Sequence, residues 1–134
     1  MRYVLDASVA VAALRRTEPF HAEALQRCMP LFAGRDEIIV PAIFDVEVAS
    51  ALLRRGTAPA TVRSFFARHF TQRTLVTLGP RAIRAVRSVV DKTRLRAADA
   101  FYVWVAARED LVLVTADREI ASRAPLAGVE VIPP

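Results

Sequence analysis

Apolar residues follow two rhythms along the chain. Short unbroken runs predict buried strands at Arg2–Leu5, Glu37–Val40, Thr74–Thr77, Leu111–Thr115 and Val129–Ile132. The segments between them repeat apolar positions three and four residues apart. They predict helices at Ala7–Arg15, Phe20–Phe32, Pro41–Arg55, Ala60–Phe70, Pro80 to about Thr93, Arg96–Glu109 and Arg118–Arg123. Pro41 is expected as the first residue of its helix, and Gly56 as the stop. Strands alternating with helices require crossover connections, so the expected class is α/β with a mostly parallel sheet. In such sheets the functional crevice lies beyond the carboxyl ends of the strands.

Two of the predicted strands run into a carboxylate. Asp6 directly follows the first, and Asp117 follows Thr115 and Ala116 after the fourth. Each also qualifies as the N-cap of the next helix, and Ser8 and Thr115 qualify as capping or turn residues. Two further acids sit in apolar helices. Glu47 has Ile43, Phe44, Ser50 and Ala51 as helical neighbours and no base within reach. Its competitor Asp45 lies nearer the helix start, where negative charge is favourable for structural reasons alone. Asp99 has Leu95, Arg96, Tyr102 and Val103 around it and reads equally as a cap, a surface partner of Arg96, or a functional acid.

Carboxylates gathered in one crevice raise each other's pKa and destabilise the fold unless a cation neutralises them. An all-oxygen donor set suits Mg²⁺ or Mn²⁺, and a carboxylate-held ion of this kind serves phosphodiester hydrolysis. Zinc is disfavoured, because His21, His69 and Cys28 lack ligand spacing. No nucleophile–histidine triad is recognisable.

Composition narrows the partners. A chain of 134 residues, 54% hydrophobic, reads as one folded domain spanning 1–134. The lone Cys28 excludes an internal disulfide framework and reads as a small core residue. No apolar run approaches the ~20 residues of a membrane span, and no secretory signal is evident, so a soluble cytoplasmic protein is expected. The formal charge is +5, and Lys92 is the single lysine among 19 basic residues. Arginine forks suit phosphate, although an arginine-rich composition without function accounts for the charge equally well. Arg54, Arg55, Arg94, Arg96 and Arg118 are the candidate contacts to an anionic partner such as nucleic acid; for each alone, a solvated helix face is the simpler reading.

Four segments together resemble the PIN-domain ribonucleases, in particular the VapC-type toxins of bacterial toxin–antitoxin pairs. They are YVLDAS (residues 3–8), PAIFDVEVASAL (41–52), ADAFYVWVA (98–106) and LVTAD (113–117). The resemblance implies a three-layer α/β/α fold with a five-stranded sheet. It also implies Mg²⁺ or Mn²⁺ dependence, RNA cleavage, homodimerisation and inhibition by a VapB-type antitoxin. It assigns Asp6, Glu47, Asp99 and Asp117 as catalytic, metal-holding acids, with Ser8 and Thr115 as auxiliaries. The chain departs from the family pattern at Ser50, where many relatives carry Asn, and in the apolar LRAA (95–98) before Asp99.

Rival classes fit less well. A receiver-like signalling domain needs an acidic pair at its first strand and a lysine after a late strand. A haloacid-dehalogenase-like phosphatase needs a second Asp where Ser8 stands. A PIN domain that binds RNA or protein without cutting is the remaining alternative. Helix Ala97–Arg108, with Phe101, Val103, Trp104 and Val105, reads equally as a dimer surface or a buried core helix.

Overall fold

The computed structural model describes residues 1–134. Strands β1 (Arg2–Leu5), β2 (Glu37–Pro41), β3 (Arg73–Val76), β4 (Leu113–Val114) and β5 (Val131–Ile132) form one sheet in the order β3-β2-β1-β4-β5. Every neighbouring pair is parallel. The helices are α1 (Ala7–Leu14), α2 (His21–Phe32), α3 (Phe44–Arg54), α4 (Pro59–His69), α5 (Pro80–Thr93), α6 (Ala97–Glu109) and α7 (Arg118–Arg123). A short 3-10 turn at Ala124–Ala127 precedes β5. The fold is the expected α/β architecture with a five-stranded parallel sheet.

The central strand explains itself physically. Tyr3, Val4 and Leu5 alternate between the two faces of the sheet, and all three are fully buried. A parallel strand covered on both faces has to be apolar throughout. Helix α6 packs on β1, β2 and β4, with α5 outside it, while α1 to α4 pack on one another. Within α6, Val103 and Val105 are fully buried, so it is a core helix, with Phe101 and Trp104 half-buried at its margin. No helix is long and apolar enough to cross a membrane.

Two expectations shift. Pro41 does not open a helix; it ends β2, opposite Val76 of β3. Proline is tolerated at a strand end because the ladder there needs no N–H from it, and Ala42 supplies the next donor, to the Val76 carbonyl, at 2.9 Å. Helix α3 therefore starts at Phe44, which leaves both Asp45 and Glu47 in its first turn. The fourth strand shrinks from Leu111–Thr115 to Leu113–Val114. The backbone still pairs beyond it: Thr115 N–H donates to Ile132 at 3.2 Å and Asp6 N–H to Val114 at 3.0 Å.

The strand order places the crevice. From β1 the chain moves outward to β2 and β3, then crosses back to β4 and β5. The order reverses between β1 and β4, and a cleft opens at such a point because neighbouring crossovers leave in opposite directions. Asp6 emerges from one of these two strands and Thr115 from the other.

Candidate active site

The cleft at this reversal has a volume of about 450 Å³, and Asp6, Ser8, Glu47, Asp99 and Asp117 all line it. Thr115 lies immediately behind, donating from Oγ1 to Asp6 Oδ2 at 2.7 Å. All six residues singled out in the sequence are thus gathered in one place, from four different parts of the fold.

Asp6 is the most firmly held. It is 7% exposed, and Oδ2 also accepts from Ser8 Oγ at 2.8 Å, while Oδ1 accepts from Ser8 N–H at 3.4 Å. Thr115 Oγ1 in turn accepts from Asp117 N–H at 3.0 Å, which ties the two strand ends together. Asp117 is the N-cap of α7: its Oδ1 accepts from Glu119 N–H at 2.8 Å and Ile120 N–H at 3.0 Å. Its capping and cleft-lining roles coexist, since both bonds fall on one oxygen.

Glu47 and Asp45 share a helix turn but have opposite fates. Asp45 forms a two-pronged bridge to Arg73, at 2.8 and 2.7 Å, and Arg73 also lies over the Phe66 ring. It is a structural acid joining α3 to β3. Glu47 faces the cleft and accepts from Tyr102 Oη at 2.7 Å. No local pattern signals this partner, because Tyr102 lies on α6 and reads locally only as a helical neighbour of Asp99.

The electrostatics describe one cluster. Burial raises the pKa of Glu47, and the charges of Asp6 and Asp99 raise it further against the Tyr102 hydrogen bond. Burial likewise raises Asp99; the Asp6 charge adds to this, Arg96 opposes it and Asp117 contributes in the raising direction. Arg96 Nε stands 3.5 Å from Asp99 Oδ2, close enough for an ion pair, yet that oxygen is buried and accepts no hydrogen bond. The other reactive groups lie elsewhere. Burial pushes the Cys28 thiol up to about 12, as befits a core residue, and neither His21 nor His69 lines the cleft.

A raised carboxyl pKa in the folded state has a definite sign. The native protein binds more protons than the unfolded chain just above the ordinary carboxylate range, so stability falls as pH rises through that window. The metal-free protein is expected to melt at higher temperature as pH is lowered from neutral toward that range. Tyr102→Phe removes the one contact that favours charged Glu47. It should cost about 1 kcal/mol at neutral pH and steepen the pH dependence. Thermal melts across pH, in chelator, check this; parallel curves for the two proteins would show that the hydroxyl does not act through Glu47 ionisation.

The donors suit a hard divalent cation: four carboxylates, two hydroxyls beside them, and one buried carboxylate oxygen lacking any donor. No three acidic or metal-ligating side chains close into a complete cage.

The PIN domain family model matches residues 3–125. Similar solved structures include a toxin–antitoxin complex from Klebsiella pneumoniae, with 15% identity, TM-score 0.65, and coverage of 97% of this chain and 95% of the other. VapBC2 from Rickettsia felis, bound to a promoter DNA fragment, shows 16% identity, TM-score 0.68, and coverage of 99% and 98%. FitAcB from Neisseria gonorrhoeae shows 19% identity, TM-score 0.70, and coverage of 98% and 96%. At these identities the likeness establishes a shared fold. Comparison with curated protein sequences gives no significant match.

Proposed function

Because the chain belongs to the PIN domain family, we propose that it is a divalent-metal-dependent endoribonuclease and the toxin of a VapBC-type toxin–antitoxin pair. The observation that carries the reading is the cleft itself. Asp6, Glu47, Asp99 and Asp117 line it from four elements, and one buried Asp99 oxygen accepts no hydrogen bond although Arg96 stands 3.5 Å away. Asp45, by contrast, is held by a two-pronged bridge to Arg73, whereas Asp99 has only Arg96 at 3.5 Å.

The reaction class is hydrolysis of an RNA phosphodiester, with water displacing an oxygen and leaving 5′-phosphate and 3′-hydroxyl ends. Asp6, Glu47 and Asp99 would hold Mg²⁺ or Mn²⁺, with Asp117 completing the set, although no three of them already stand as a ready metal-binding group. When bound, the ion supplies Lewis-acid polarisation and neutralises charge developing on the phosphate oxygens. The protein's own part is positioning. The Ser8 and Thr115 hydroxyls hold Asp6 Oδ2 and Tyr102 holds Glu47 Oε1, which limits how far these carboxylates can turn in the cleft. Outside the cleft, Arg81, Arg84 and Arg108 line a separate depression with no acid in it, a source of positive field for a polyanion.

Neighbours of this fold are toxin–antitoxin complexes, two of them with DNA, which supports a VapB-type antitoxin as partner. A homodimer and a cytoplasmic location complete the proposal. Purified protein should cut single-stranded RNA in Mg²⁺ and stop when the ion is chelated. Cutting that persists in chelator would overturn the metal requirement. Folded protein that binds RNA but leaves it whole in both Mg²⁺ and Mn²⁺ would make the chain a binding module.

A further inference from the structure

Phe20 combines two features that are each costly in a folded monomer. Its backbone is left-handed, with φ 61° and ψ 21°, a conformation that a bulky residue rarely adopts. Its side chain is 58% exposed. The segment that carries it is nonetheless tied down on both flanks. On one side, the Glu18 carboxylate pairs with Arg55 and stands 3.6 Å from Arg15. On the other, His21 Nδ1 is 2.7 Å from the Ala12 carbonyl oxygen. A free loop would relax the strain and bury the ring; this one is held.

The ring is held at a particular place. Phe20 lines the acidic cleft, and it also lines an adjoining depression of about 440 Å³ with Glu23, Arg118, Ala121, Val131 and Pro133. Asp117 lies on the same boundary and lines both. Arg118 is exposed and has no carboxylate partner. An aromatic face and a free guanidinium therefore flank the last acid of the site.

We propose that Phe20 and the adjoining depression form a nucleobase subsite, in which the ring stacks one base of a single-stranded RNA and Arg118 meets a neighbouring phosphate. The proposal rests on the ribonuclease reading and deepens it. Stacking on an aromatic platform suits any base, and a platform already fixed before binding loses little entropy when the base arrives. A protein partner fits less well. None of the other large exposed apolar side chains lines either depression; the apolar surface beside Phe20 comes only from smaller side chains such as Ala121, Val131 and Pro133.

Two readouts test this: anisotropy of a fluorescein-labelled single-stranded RNA on the protein, and KM and kcat for its cleavage. Phe20→Gly should hold or raise the melting temperature, because glycine adopts this φ freely. It should weaken RNA binding and raise KM about tenfold with little change in kcat, and Phe20→Tyr should restore both. RNA carrying an abasic residue at the stacked position should bind the wild type about as weakly as intact RNA binds Phe20→Gly. Unchanged affinity and KM in Phe20→Gly, with cutting intact, would overturn the subsite and leave the ribonuclease standing. A wild type that binds RNA through Phe20 but never cuts it would overturn the ribonuclease and leave the subsite standing. A lowered melting temperature in Phe20→Gly would make the ring a packing residue. Altered sedimentation with RNA affinity intact would make it a contact between copies. Either result would overturn the proposal.

Discussion

On the proposed ribonuclease activity, replacing Asp6 by Asn should lower RNA cleavage by roughly 10³-fold, the scale of several kcal/mol of lost charge stabilisation at the reacting phosphate, and should leave the protein folded. The fold survives because asparagine has the same shape and its hydrogen bonds can be remade. Its oxygen still accepts from Ser8 N–H, while the Ser8 and Thr115 hydroxyls, which donate to Asp6 Oδ2, can rotate and accept from the new amide. Activity should be lost because an amide would bring no charge to hold a divalent ion. Loss of one negative charge also relieves Glu47 and Asp99, both of which the Asp6 charge pushes upward. The variant should therefore melt no lower than the wild type in chelator. Cleavage at the wild-type rate would remove Asp6 from the site, and a collapsed circular dichroism spectrum would make the loss uninformative about chemistry.

The largest expected effect on stability lies away from the acids. Phe70→Ala should cost about 3–5 kcal/mol, the range for deleting a large aromatic side chain from a packed core. Phe70 is fully buried, and its ring meets Phe32 at 5.6 Å, Phe44 at 5.7 Å and Phe66 at 5.7 Å. These partners belong to α2, α3 and α4, so one side chain joins three helices. A domain of this size has only about 5–15 kcal/mol in hand, so the loss approaches unfolding. Phe44 is the first residue of α3, one turn before Glu47, so cleavage should fall along with stability. Urea denaturation measures the first effect; a change below about 1 kcal/mol would show that the cluster is loosely packed and easily collapsed.

Much of this was legible along the chain. The alternation of short apolar runs with helical periodicity specified a parallel α/β sheet, because each signal depends on neighbours within a turn or a pleat. Helix α7 and the end of α5 at Thr93 appear where they were expected. The site acids were legible as anomalies: Glu47 had no base within helical reach, and Asp6 ended a buried strand. Element ends were less legible. Pro41 satisfies both a strand end and a helix start locally, and only its pairing with Val76 decides between them. The fourth strand shortened because a ladder lasts only while both partners stay extended.

Sequence alone determined the fold class, the acidic residue types and their order, since periodicity and composition are properties of the chain. The tertiary structure decided which charges face which. It paired Asp45 with Arg73 and left Glu47 to Tyr102, 55 residues away. It brought Thr115 to Asp6 across 109 residues, and it held Phe20 in a strained turn at the edge of the cleft. Such partners have no local signature. They are set by a strand order that reverses between β1 and β4, and by the packing that buries both faces of the sheet.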